Sequence, residues 1–124
     1  MRWIVDAMNV IGTRPDGWWS DRHGAMVRLV DELERWVGAE GEDVTVVFER
    51  PPSPPISSPV VEVAHAPRPG QNSADREIVR LLRERGEAEH TRVVTSDREL
   101  ADQARMLGAT VEPAQAFRHR LEGK

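Results

Sequence analysis

Four acidic residues occupy positions from which their carboxylates could act together. Asp6, Glu49 and Asp97 each follow a short apolar run, directly or within a few residues, and Asp75 begins a segment with helical spacing. Such runs predict buried strands, and parallel strands bring their carboxyl ends to one edge of a sheet. Four carboxylates gathered there would repel one another unless a hard divalent cation lay among them. The pattern therefore predicts a site for Mg²⁺ or Mn²⁺.

The same acids also have a purely structural interpretation. Helix N-termini favour acidic and hydroxyl side chains, as caps or as charges that interact well with the helix dipole. Ser96 and Glu99 have capping-box spacing, and Asp97 and Asp75 lie where first helical turns are expected. Capping does not explain the acids that end the first two strands, because a carboxylate there gains nothing from strand propensity. The metal hypothesis therefore depends on the joint pattern.

Arginine supplies nearly all of the positive charge. Of the 17 basic residues, only Lys124 is a lysine. Guanidinium groups suit phosphate because they bind it in a bidentate way. A bias in coding composition could also produce this excess, and the arginines of the segment 76–83 can pair with glutamates along the same helix. The better candidates for substrate phosphates are those expected in loops or helix starts beside the acids: Arg14, Arg50, Arg68 and Arg98.

Several other chemistries are excluded by what the sequence lacks. There is no cysteine, which removes disulfides, cysteine-ligated metals and thiol nucleophiles. There is no glycine-rich phosphate loop, and the four histidines show neither metal-binding spacing nor a Ser-His-Asp arrangement. The formal net charge of −4 argues against a strongly cationic nucleic-acid-binding surface but is compatible with a local basic face.

The elements that must position the acids follow from the hydrophobic pattern. A chain of 124 residues predicts one domain, 1–124. Strands that alternate with helices predict an α/β fold, with a mostly parallel sheet of about five strands and helices on both faces. A loop is expected after the first strand, from Asn9 to Pro15. The predicted strands are 3–5, 44–48, 60–64, 91–95 and 109–112, and the predicted helices are 20–37, about 78–82, 100–107 and 116–121.

The segment 51–59 contains five prolines and cannot form a helix. In polyproline geometry it is long enough to return across the sheet, so the next strand could pair in parallel, although antiparallel pairing stays open. A semi-rigid connector is the simpler interpretation, and a ligand for a partner's aromatic groove is the alternative. Trp18 and Trp19 lie nearby, either as a cover for the first long helix or as platforms on which bases stack.

The start of the chain shows no export or membrane signal. Its longest apolar stretch, Trp3-Ile4-Val5, is far too short for a signal peptide core or a membrane span. We therefore expect a cytoplasmic protein with no membrane partner. The sequence makes no prediction about oligomeric state.

Four short segments, taken in order, resemble the NYN family of PIN-like ribonucleases, and especially its bacterial YacP-like members. Each segment is weak alone, but the ordered set is fairly specific and extends from the first strand to about Leu107. The resemblance implies a PIN-like three-layer sandwich and a metal-dependent endoribonuclease that acts on RNA, in particular single-stranded RNA. The segments are 6–12 (DAMNVIG), 46–49 (VVFE), 73–75 (SAD) and 93–98 (VVTSDR).

The resemblance also assigns roles to individual residues. It places Asp6, Asp75 and Asp97 at the positions of the metal-binding acids, with Asn9 beside them. Asn9, Thr95 and Ser96 would then orient the ligands or a water molecule, with Asn9 and Ser96 counted in the catalytic set. This chain departs from the family pattern at one position.

Glu49 stands where the family usually has Asp. Its side chain is longer by one methylene, so it could be a metal ligand, a ligand through water or a bystander.

Two alternative functions are compatible with the same acids. One is a metal-dependent phosphatase or a nuclease directed at DNA, and the other is a catalytically impaired RNA-binding or protein-interaction module.

Overall fold

The computed structural model describes residues 1–123. Its five strands form one sheet in the order β3-β2-β1-β4-β5, and every pairing is parallel. Short 3₁₀ turns occur at Trp18–Ser20 and Ala88–His90. The helices and strands are β1 (Arg2–Asp6), α1 (Ala7–Ile11), α2 (Arg22–Glu40), β2 (Asp43–Phe48), β3 (Glu62–His65), α3 (Ser73–Arg85), β4 (Thr91–Val94), α4 (Arg98–Met106), β5 (Thr110–Glu112) and α5 (Ala114–Leu121).

Two apolar cores lie on opposite faces of the sheet. Successive side chains of a strand point to opposite faces, so Trp3 and Val5 of β1 pack with α1, α2 and α5, whereas Ile4 packs with α3 and α4. Strands buried on both faces are expected to be continuously apolar, as β1 is at residues 3–5 and β2 is at residues 44–48 apart from Thr45. The predicted fold class, an α/β sandwich with a parallel five-stranded sheet and helices on both faces, is confirmed.

The structure corrects three element boundaries. The expected loop after β1 begins with a helix instead, because α1 (Ala7–Ile11) buries Val10 and Ile11 against α2 and α5. Helix α2 continues through Gly38 and ends at Gly41, whose φ of 70° suits a residue without a side chain. Strand β3 begins at Glu62, two residues later than expected.

The proline-rich segment connects β2 to β3 without a helix, and β3 pairs parallel to β2. The segment is held against α2 at two points. His23 Nε2 donates to the carbonyl oxygen of Pro54 at 2.8 Å, and Ser58 Oγ donates to Glu34 Oε2 at 2.6 Å. Because β3 pairs parallel to β2, the antiparallel alternative is excluded.

None of the helices within residues 1–123 is long and apolar enough to cross a membrane.

An aromatic cluster fixes α5 against the sheet. The Phe117 ring centroid lies 5.4 Å from that of Trp3 and 5.2 Å from that of Trp36, and the Phe117 side chain is fully buried. Aromatic pairs at these separations stabilise a core beyond the area that they bury. The position of α5 therefore depends on this cluster.

We expect Phe117→Ala to lower the free energy of unfolding by about 3–5 kcal/mol, because it removes a fully buried ring and leaves a cavity. Urea denaturation monitored by circular dichroism measures the loss. Met106→Ala is the control, since that side chain is 86% exposed, and a change below about 0.5 kcal/mol is expected there. A loss below about 1 kcal/mol for Phe117→Ala would contradict the described core.

Candidate metal centre

Strand order brings three of the four predicted acids to the same edge of the sheet. Strand β1 is central, with β2 on one side and β4 on the other. Asp6 is paired with Val47, two residues before Glu49, and Val5 is paired with Val94, three residues before Asp97. An acid therefore lies at or just beyond the carboxyl end of each of these three strands, at a similar level along the sheet.

A threonine hydroxyl connects two of these acids. Thr95 Oγ1 donates to Asp6 Oδ2 at 3.0 Å and accepts from the backbone N–H of Asp97 at 3.1 Å. Both Asp6 and Thr95 are buried, at 5% and 2% exposure. Asp97 also caps α4, because its Oδ1 accepts from the Leu100 N–H at 3.0 Å. The capping interpretation is therefore correct for Asp97, which also lies beside Asp6.

Asn9 and Ser96 join the loop after β4 to the two helices beside it. Asn9 Oδ1 accepts from the Ser96 N–H at 2.7 Å, and Ser96 Oγ accepts from the Ala114 N–H at 2.9 Å. Ser96 therefore anchors α5 and does not cap α4, so the capping-box interpretation of Ser96 and Glu99 is wrong. Both side chains hold backbone in place around the acids, which makes them positioning residues.

Asp75 reaches the same region from the first turn of α3. The N-terminus of α3 is tied to the end of β2, because Ser73 Oγ donates to the carbonyl oxygen of Glu49 at 2.9 Å. Asn72 precedes the helix in the left-handed conformation, with φ of 59° and no capping hydrogen bond from its side chain. Asp75 is therefore positioned by the Ser73 contact rather than by a side-chain cap.

The charges of the four acids act on one another. Burial raises the pKa of Asp6 to about 7, the Thr95 hydrogen bond opposes the rise, and the carboxylates of Asp75, Asp97 and Glu49 add to it. Burial likewise raises the pKa of Asp75 to about 6, with further increases from the negative charges of Asp97, Glu99 and Glu49. Arg76 lowers it only in part. The four predicted acids therefore lie close enough together for their charges to interact.

The donor set fits a hard cation. All four side chains offer carboxylate oxygens, which Mg²⁺ and Mn²⁺ prefer. None of the ion pairs in the described part of the chain involves these four acids, so Arg76 offsets the charge of Asp75 only from a longer range. Within residues 1–123, no three acidic or histidine side chains form a ready-made metal cage. Mg²⁺ does not need one, since it commonly binds through one or two carboxylates and keeps several waters.

The four arginines proposed for substrate lie in different settings. Arg50, Arg68 and Arg98 are exposed, and Arg98 directly follows Asp97 at the start of α4. Arg14 is only 8% exposed, and its Nη2 lies 2.7 Å from Glu32 Oε1 of α2. A buried, paired guanidinium is not available to a substrate phosphate. Arg14 is therefore a structural residue, and its prediction as a substrate-binding residue is wrong.

Sequence reasoning missed an apolar cavity beside the acids. The cavity has a volume of about 320 Å³ and lies between α1, the first turns of α2 and the chain just after β2. Met8 and Met26 line it together with Arg22 and Arg50. The sequence gives only one weak indication of this cavity. Arg22 and Met26 are four residues apart, so they lie on one face of the predicted helix.

The sequence model of the YacP-like NYN domain matches residues 3–124. Rae1 (YacP) from Bacillus subtilis has the same fold, with a TM-score of 0.79 and 23% identity over 99% of this chain and 74% of that protein. A single-substitution mutant of Rae1 matches with a TM-score of 0.77 and 23% identity, over 98% of this chain and 75% of that protein. Comparison with curated proteins gave no significant match. Since the family model spans nearly the whole sequence, the chain belongs to the family of YacP-like NYN domains.

Proposed function

We propose that this protein is a metal-dependent endoribonuclease that hydrolyses RNA phosphodiester bonds at the carboxyl edge of its sheet. One observation carries the proposal. Four carboxylates from separate parts of the chain lie there without ion-pair partners, and burial together with their mutual repulsion raises the pKa of Asp6 to about 7 and that of Asp75 to about 6. Membership of the NYN family supports the same activity, since the family resemblance implies a ribonuclease.

Asp6, Asp75 and Asp97 would hold Mg²⁺ or Mn²⁺, with Glu49 as a further ligand or a neighbour. A bound ion of this kind lowers the pKa of a coordinated water and offsets charge that develops on the scissile phosphate. Thr95 holds the Asp6 carboxylate in place, and Asn9 holds the loop that carries Asp97. These contacts keep the acids in place without a metal, so little reorganisation is needed when substrate arrives.

Exposed guanidinium groups near the acids would bind the RNA backbone. Arg50 follows Glu49, Arg98 follows Asp97, and Arg68 lies in the loop that leads to α3. Phosphate contacts of this kind position a nucleic acid without reading its sequence. A single-stranded substrate is proposed because its backbone can bend into a site recessed at a sheet edge.

A catalytically impaired RNA-binding or protein-interaction module is the second candidate. Glu49 in place of the family's usual Asp favours it, as does the lack of a ready-made three-ligand cage among residues 1–123. In that case the fold and the arginines are retained while hydrolysis is lost. The two candidates differ in whether a divalent ion accelerates cleavage.

We expect Mn²⁺ or Mg²⁺ to support cleavage of single-stranded RNA and EDTA to abolish it. Asp6→Asn and Asp97→Asn should each lower the cleavage rate at least about a hundredfold, since each removes a charge worth several kcal/mol to the transition state. Gel analysis of end-labelled RNA measures the rate, with single-stranded DNA and a phosphomonoester tested in parallel.

Asp102→Asn is the matched control, because Asp102 is an exposed acid of α4 away from the sheet edge. It should cleave at the rate of the unmodified protein. Undiminished cleavage in EDTA would contradict the metal-dependent mechanism. Binding of RNA without cleavage in any divalent ion would favour the second candidate.

Glu49→Gln is expected to lower the cleavage rate less than Asp97→Asn does. Glu49 is only half-buried and lies one residue beyond the paired part of β2, so its carboxylate acts on the other acids mainly through its charge. The comparison uses the same RNA at saturating Mn²⁺. If Glu49→Gln loses as much activity as Asp97→Asn, Glu49 is a direct ligand.

We expect Asp6→Asn to raise the melting temperature of the metal-free protein above pH 7, by a few degrees. The folded-state pKa of Asp6 is about 7 against an ordinary 3.8, so the folded protein holds a proton that the unfolded chain loses first. The contribution of Asp6 to stability is therefore lost as pH rises from about 4 to about 7. An asparagine side chain does not titrate, so this pH dependence of stability disappears. Its amide oxygen can still accept the hydrogen bond from the Thr95 hydroxyl.

Thermal melting in EDTA at pH 5 and pH 8 measures the effect. Melting in Mn²⁺ adds a second readout, since an ion that binds only the folded state raises the melting temperature of the unmodified protein. Asp6→Asn should lose most of that increase. A variant that melts lower than the unmodified protein in EDTA at pH 8 would show that the carboxylate stabilises the fold.

A further inference from the structure

A cavity opens beside the acidic edge, and apart from Glu49 and Arg50 its lining residues have no role in the proposed function. Its volume is about 320 Å³, near the lower end of the roughly 300–1,000 Å³ typical of small-molecule sites. Its apolar lining comes from Met8 of α1, Met26 of α2 and Phe48 at the end of β2. Arg22 and Arg50 add two positive charges to the lining.

The cavity and the acidic edge are contiguous. Glu49 lines the cavity and is also one of the four acids that face one another. On the other side, Met8 lies in the helix that begins immediately after Asp6. A chain molecule with a phosphate at the acids would therefore place an adjacent unit at the mouth of the cavity.

Fixed contacts build the walls of the cavity. The His23 Nε2–H group donates to the Pro54 carbonyl at 2.8 Å, which holds the chain after β2 across the start of α2. Asp21 caps α2, with its Oδ1 accepting from the Gly24 N–H at 2.9 Å. The Arg22 guanidinium lies 5.3 Å from the Trp18 ring centroid, as a cation–π pair. The cavity is thus present before any ligand arrives.

The lining matches the chemistry of a nucleobase. Thioethers such as those of Met8 and Met26 make favourable contacts with aromatic rings, and a base has an aromatic face. Guanidinium groups stack on base planes and pair with phosphates, so Arg22 and Arg50 suit both parts of a nucleotide. A purely apolar peptide would leave both charges without a partner.

We propose that this cavity receives one unstacked base of single-stranded RNA, next to the phosphate held at the acidic edge. The inference rests on the proposed function for the identity of the polymer. It adds a base-binding subsite formed by Met8, Met26, Arg22 and Arg50. Binding of the base fixes which phosphate lies at the acids.

The methionines provide a direct test in the unmodified protein. Of the four methionines in the sequence, Met8 and Met26 line the cavity, while Met1 and Met106 are 57% and 86% exposed and serve as internal controls. Protein labelled with ¹³C at the methionine methyl groups is titrated with a single-stranded RNA octamer in EDTA. An octamer of abasic ribose phosphates, which carries the same charge, is titrated in parallel.

We expect the RNA to shift the Met8 and Met26 methyl signals, because a base ring lies against them, and to leave Met1 and Met106 unmoved. The abasic octamer should leave all four unmoved. RNA binding that moves neither cavity methionine would overturn the subsite. Equal shifts with both octamers, or no binding of RNA, would overturn it as well.

A variant pair gives a second measurement. Met26→Trp fills the cavity and is expected to weaken binding of the RNA octamer about tenfold, with affinity for the abasic octamer unchanged. Val27→Trp is the control, since it adds the same ring one residue later on the exposed side of α2. Fluorescence anisotropy measures both affinities, and thermal melting verifies that each variant is folded.

The two proposals fail in different ways. Base-dependent methyl shifts in a protein that cleaves no RNA in Mn²⁺ or Mg²⁺ would contradict the nuclease proposal and leave the subsite intact. Metal-dependent cleavage in a protein whose cavity methionines do not respond to RNA would contradict the subsite alone.

Discussion

The burial of a carboxylate at the end of the central strand is the constraint on which the site depends. Asp6 is 5% exposed, and no ion pair among residues 1–123 offsets its charge. A charge in that position is costly unless it is paired, protonated or bound to a metal. The parallel sheet increases the cost, because it brings further acids to the same edge. A divalent cation, as proposed above, would offset this repulsion.

Aromatic packing and hydrogen bonds connect the apolar core to the candidate metal site. Phe117 holds α5 on Trp3 and Trp36, and the first residue of α5, Ala114, donates to Ser96 Oγ. Ser96 in turn donates its N–H to Asn9 in α1. The loop that carries Asp97 is therefore fixed from both sides by elements packed in the apolar core. Packed helices and strands thus hold the segment that carries Asp97, and precise positioning of functional groups depends on such support.

The acids could be predicted from the sequence because apolar runs mark strands, and parallel strands deliver their ends to one edge. The same reasoning missed α1, since five residues are too few to show a helical period. It also misplaced Arg14, whose ion pair with Glu32 joins segments distant in sequence. The cavity was unpredictable because it depends on how the proline-rich segment docks, through the long-range contact of His23 with Pro54.

A crystal soaked in Mn²⁺ would show most directly whether the four acids form a cation site. We predict an anomalous density peak at the carboxyl edge of the sheet, at coordinating distance from carboxylate oxygens of Asp6, Asp75 or Asp97. The Glu49 carboxylate should contact the ion directly or through a water. A crystal with no peak at this edge, or with Mn²⁺ bound only elsewhere on the protein, would contradict the proposed cation site.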